Sequence, residues 1–123
     1  MRFLLAAATL ITAPALAVPQ APEPPTGPEA VILGFRQDGL TDYRIDGKRG
    51  IYLRAQNGYW YYLHVRPECP RLAAADGFGV EAGPAGRLDR FSTITVQGRR
   101  CWLTSVVRSP EPPGYRSGKR KRG

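Results

Sequence analysis

The sequence is poor in the residues that most chemistry needs. Its 123 residues include one histidine, two cysteines, one methionine and one asparagine. That inventory excludes a four-ligand Cys/His zinc site and any mechanism that requires two imidazoles. No apolar run approaches the roughly 20 residues needed to cross a hydrocarbon core about 30 Å thick. Neither a G-x-S-x-G nucleophile turn nor a Gly-Lys-Ser/Thr phosphate loop is present, and Gly77-x-Gly79 followed by Gly83 does not complete G-x-G-x-x-G. Acid is also scarce, with 10 Asp and Glu against 18 Lys and Arg. What the chain has in quantity is glycine and proline, 14 and 12 residues. Such a composition disfavours helical bundles and favours turns and short strands. Apolar residues at 42% and aromatics at 10% allow one packed core, which suits a single small domain.

The first 17 residues have the layout of a secretory signal. Met1-Arg2 is a short positive start, and Phe3 to Ala13 is apolar apart from Thr9 and Thr12. Pro14 breaks the run, and Ala15-Leu16-Ala17 has the small-x-small pattern cut by signal peptidase. A mature protein of residues 18–123 is therefore expected, exported to the periplasm or outside the cell, without a transmembrane segment.

Residues 18–28 read VPQAPEPPTGP and are expected to form an extended linker, since proline fixes its own φ and lacks an N–H. Residues 109–114, SPEPPG, close the other end in the same way. A β domain over 29–108 lies between them, and no internal repeat stands out. The last nine residues carry Arg116, Lys119, Arg120, Lys121 and Arg122 and no acid, so without them and the signal the net charge of +8 falls to only +2. The charge thus belongs mostly to a tail expected to be disordered, which weakens any case for a specific nucleic-acid surface on the domain. Such a tail is suited to anionic lipid or an anionic envelope polymer.

Two hairpins organise the domain. Residues 51–56 and 59–65 flank Asn57-Gly58, a strong two-residue type I′ signal. That turn predicts Ala55 opposite Trp60, Leu53 opposite Tyr62 and Ile51 opposite His64, all facing the core, with Tyr52, Arg54, Tyr61 and Leu63 on the other face. The second hairpin joins 92–96 to 99–107 through Gln97-Gly98. Further strands are expected at 30–35, 41–45 and 78–81, and no more than one helical turn at 72–76. The expected fold is all-β: a small antiparallel sheet or partly closed barrel of five to six strands.

Cys69 and Cys101 are an even pair in an oxidising compartment and are expected to form a structural disulfide. They lack the Cys-x-x-Cys spacing of a redox dithiol. His64 sits in an aromatic strand and reads as a structural histidine. The acids Asp38, Asp42, Asp46, Glu68, Asp76, Glu81 and Asp89 show no pairing pattern beyond chance. No catalytic residue, metal ligand or cofactor site is therefore assigned. Aromatics on a β surface with basic neighbours suit stacking on sugars or bases. The candidate ligand contacts are Arg54, Tyr59, Tyr61 and Arg66, set against the simpler reading in which these aromatics only build the core.

The run Gly50-Ile51-Tyr52-Leu53-Arg54, the Trp60-Tyr61-Tyr62 strand, Cys69-Pro70-Arg71-Leu72, Leu88-Asp89-Arg90-Phe91-Ser92 and Ile94 through Cys101-Trp102-Leu103 together resemble a family of small exported proteobacterial proteins, a domain of unknown function. The resemblance covers about half the chain. It implies an envelope location and structural cysteines, and it assigns no activity. The function expected is that of a non-catalytic binding or structural domain, with an enzyme or enzyme accessory acting on envelope polymers as the alternative. Intact mass of the exported protein should match residues 18–123; a mature species retaining Met1 in the membrane fraction would refute the signal reading.

Overall fold

The computed structural model describes residues 3–11 and 22–115. The expected cleavage motif Ala15-Leu16-Ala17 and the cations Arg116, Lys119, Arg120, Lys121 and Arg122 lie outside the described residues. Among the described residues there are six strands, β1 (Asp42–Asp46), β2 (Gly50–Arg54), β3 (Trp60–Val65), β4 (Gly79–Glu81), β5 (Thr93–Val96) and β6 (Arg99–Ser109). All neighbours are antiparallel, in the order β1-β2-β3-β6-β5-β4, and the sheet curls into a half-barrel. Among the described residues no helix is long and apolar enough to cross a membrane.

The eleven-residue β6 is the spine. Its first part pairs with β5 and its second part with β3. Between them the register shifts, because His64 faces Ser105 while Val65 faces Leu103. Thr104 is the extra residue, and its hydroxyl reaches the His64 carbonyl. Such a bulge bends and twists a strand, which helps the sheet to curl.

The β2–β3 register differs by one residue from the expected pairing. Arg54 opposes Trp60, Leu53 opposes Tyr61, Tyr52 opposes Tyr62 and Ile51 opposes Leu63. The loop holds three residues rather than two. The Gly58 N–H donates to the Ala55 carbonyl and the Ala55 N–H donates to the Tyr59 carbonyl, at 2.9 and 3.1 Å. Only Gly58 takes a left-handed φ, at 86°, whereas a type I′ turn needs two such residues. Because side chains alternate, a one-residue slip exchanges the faces of β3. Tyr61, Leu63 and Val65 now join Ile51, Leu53 and Ala55 inside the half-barrel. Trp60 and Tyr62 move to the outer face with Tyr52 and Val107. The second hairpin has the two-residue loop expected, with Gln97 at φ 50° and Gly98 at φ 80°.

The strand expected at 30–35 is not formed. That segment makes one isolated bridge, Ile32 with Leu88, with another just before it from Glu29 to Val107, yet it buries Ile32 and Phe35 in the core. The segment contributes these two anchors to the core rather than a ladder. The Cys69–Cys101 disulfide is present. It ties the segment after β3, which carries the fully buried Leu72, onto the inner face of β6.

The outer face has its own aromatic layer. Tyr62 packs edge-on against Tyr52 and His64, with ring centroids 4.8 and 4.7 Å apart. Its hydroxyl donates to Asp46 at 2.7 Å, and Asp46 also pairs with Arg49 at 2.9 Å. Gly50 sits beneath this ring; a Cβ there would lie 2.2 Å from the Leu63 carbonyl oxygen and 2.6 Å from Tyr62. Burial first, and then the Asp46 carboxylate that accepts its proton, hold the Tyr62 phenol well above its ordinary range. Burial raises Tyr52 in the same direction.

Two outcomes are expected. Cys101→Ser should lower unfolding free energy by about 2–5 kcal/mol in denaturant titration, the usual loss for a native disulfide in a small secreted domain. Alkaline difference spectra should show Tyr52 and Tyr62 ionising above the ordinary range of a phenol. The unfolded chain releases these two protons near pH 10 while the folded chain retains them, so stability is complete below that pH and falls above it.

Candidate functional site

The four ligand contacts expected from sequence do not form one site. Arg54 and Tyr59 lie near the β2–β3 loop, where the Arg54 Nε donates to the Gly58 carbonyl at 3.2 Å. Tyr59 is exposed and carries the Arg108 guanidinium over its ring at 3.9 Å. Tyr61 is buried, its hydroxyl accepting from the Asn57 amide at 3.1 Å. It is a core residue, because the register slip turned it inward. Arg66 lies beyond the opposite end of β3, seven residues and roughly 20 Å from Tyr59 at the usual strand rise. Arg108 was missed; it opposes Tyr61 across β3–β6, a pairing between residues 47 positions apart that no local pattern reports.

The structure places a different aromatic surface in the open. On β6 the bulge sends Cys101 and Leu103 inward, and Arg100 and Trp102 outward. Trp102 keeps 51% of its surface exposed, opposite Thr93. Phe91, at the entry to β5, is 77% exposed. The backbone beneath Phe91 is locked: its N–H donates to Asp89 Oδ1 at 3.0 Å, and the Ser92 N–H donates to the Asp89 carbonyl at 2.9 Å. Ser92 is the one buried polar residue among those described, and its hydroxyl donates to the Arg87 carbonyl while accepting from the Asp89 N–H. The Arg90 guanidinium stands 4.8 Å from the centre of the Phe91 ring. A large ring held in water by a rigid turn contributes nothing to the core.

A hollow of about 440 Å³ runs from Phe91 past Thr93 and Arg100 to Glu81 and Arg87. A second of about 200 Å³ continues past Arg100 to Trp102, the disulfide and Arg66. Arg100 is common to both. It pairs with Glu81 at 3.2 Å, and Thr95 donates to the same carboxylate at 2.9 Å. The Thr95 hydroxyl and then the Arg100 guanidinium hold the Glu81 carboxyl below its ordinary range. Arg87 does the same to Asp89 at 2.8 Å. The surface therefore offers two aromatic platforms, fixed Arg–carboxylate pairs and threonine hydroxyls. These are groups that stack on a flat apolar ring and hydrogen-bond to hydroxyls at its edge. Both carboxylates are paired with arginines. Among the described residues no cluster of three or more His, Cys, Asp or Glu is placed to hold a metal.

The signal for this site was present in the run Thr93-Ile94-Thr95-Val96, whose polar members face outward, and in Trp102 next to Cys101. Pairing Cys101 inward forces its neighbour outward, and that inference was available from the disulfide alone. No protein-family model, curated protein or solved structure matches this chain.

Proposed function

We propose that the chain is an exported, non-catalytic binding domain of the small proteobacterial family that it resembles, and that it holds an envelope polymer against the Phe91–Arg100–Trp102 face. The observation that carries the reading is Trp102, half exposed on a sheet strand beside the disulfide, with Phe91 held out by a locked turn. Rigid aromatics exposed beside fixed polar groups suit a glycan chain, whose sugar faces stack while its hydroxyls bond. The disulfide supports an oxidising compartment. The basic tail, Arg116 to Arg122, supplies a second and purely electrostatic contact where the polymer or membrane is anionic.

The test is a titration of tryptophan fluorescence with a neutral glucan oligosaccharide and with a uronate polymer. Stacking a flat ring on an aromatic contributes about 1–3 kcal/mol in the well-measured nucleic-acid case, so Trp102→Ala should weaken binding about 10-fold or more. Removing residues 116–123 should weaken only the uronate polymer, and chiefly at low salt. Equal binding by Trp102→Ala and the parent protein would refute the assignment of this face.

A further inference from the structure

Pro-Glu-Pro-Pro occurs twice in this chain, at Pro22 to Pro25 and at Pro110 to Pro113. The two copies flank the β domain in sequence, yet both are seated on the outer aromatic face of β1, β2 and β3. Arg49 donates to the Pro22 carbonyl at 2.9 Å, and Arg44 donates to the Pro113 carbonyl. The His64 Nε2 lies 2.7 Å from the Pro25 carbonyl, which can only accept, so that nitrogen carries the proton. Pro112 is buried, and Pro24 and Pro25 are half-buried. Just beyond the second copy, the Tyr115 ring packs on Trp60 with centroids 4.9 Å apart, and its hydroxyl donates to Asp42 at 2.6 Å. Tyr115 thus belongs to the packed body, not to the tail. A gap of about 130 Å³ separates the copies, lined by Pro22, Arg44, Asp46, Arg49, Tyr52 and Pro113.

The recognition chemistry follows from proline itself. A proline-rich segment has few N–H groups, so its carbonyls are left for a partner's donors. Its backbone is already extended, so little entropy is lost on docking. Aromatic grooves with donors at their edges read such peptides in this way. Here the rings are Trp60, Tyr52 and Tyr62, and the donors are Arg44, Arg49 and His64. The two glutamates, Glu23 and Glu111, point to water, so the prolines and carbonyls are what the face reads.

We propose that this face is a recognition surface for a proline-rich segment of a partner protein, and that the chain's own segment 110–115 is a built-in competitor for it. The occupant is specified by the second copy as it is seated: a Pro-Glu-Pro-Pro peptide followed closely by an aromatic residue. Segment 110–115 has no strand pairing, so it opens without disturbing the sheet. The inference is independent of the Trp102 face, which lies on other strands.

The experiment uses the full chain and the synthetic peptide Ser-Pro-Glu-Pro-Pro-Gly-Tyr, with Ser-Ala-Glu-Ala-Ala-Gly-Tyr as control. Affinity is measured calorimetrically, and the site is located by the indole resonance of Trp60. A tethered competitor acts at an effective concentration of about millimolar, so freeing it with Tyr115→Ala should tighten peptide binding about 10-fold or more. Adding the exposed-site change Arg44→Gln to Tyr115→Ala should lose most of that gain. Failure of the peptide to bind Tyr115→Ala at millimolar concentration would overturn the proposal. So would equal affinity for parent and Tyr115→Ala, or equal binding of the control peptide.

Discussion

β3 is apolar on both faces, and the rest of the molecule answers that constraint. Tyr61, Leu63 and Val65 fill the half-barrel, while Trp60 and Tyr62 face out. A single curled sheet can enclose only one of those sets. Leaving the other in water would forgo about 25 cal/mol for every Å² of apolar area that could be covered. The outer set is covered by what the chain has left, two proline-rich flanks that cannot form strands or helices. They are held by side-chain donors to proline carbonyls rather than by a ladder. Segments read from composition as spacers therefore act as a second layer. The domain is in effect a sheet with a core inside and two straps outside.

The same economy explains the arginines. Arg44, Arg49 and Arg54 each donate to a backbone carbonyl, and Arg87 and Arg100 each hold a carboxylate. Much of the body's positive charge is thus engaged in short-range bonding within the fold. The high isoelectric point here reflects the tail and a preference for guanidinium donors within the fold.

The bulge at Thr104 and the disulfide together produce the outward face. In an unbroken strand, the parity that puts Cys101 and Leu103 inside would put Val106 outside. The extra residue resets the alternation, so both Leu103 and Val106 are buried while Trp102 remains in solvent. The disulfide then fixes which way Cys101 points, and with it the aim of the neighbouring indole. That exposed indole is the ring on which the proposed binding face rests.

The hairpin existence, the all-β class and the Cys69–Cys101 pairing were legible in the sequence because each rests on local chemistry: a glycine turn, alternation, and an even cysteine count. The Gln97-Gly98 turn was legible for the same reason. The β2–β3 register was not. Asn57-Gly58 supports a two-residue loop and a three-residue loop almost equally well as local structures, and the choice was made by which side chains of β3 fit the core. That one-residue difference decided that Tyr61 is buried and that Trp60 is strapped by Tyr115. It also removed Tyr61 from the expected ligand contacts. The outward aim of Trp102 followed from the inward Cys101, but the seating of the two Pro-Glu-Pro-Pro segments depends on contacts between residues far apart in the chain. Those follow from the curl of the sheet and the bulge at Thr104, which no local pattern in the sequence encodes.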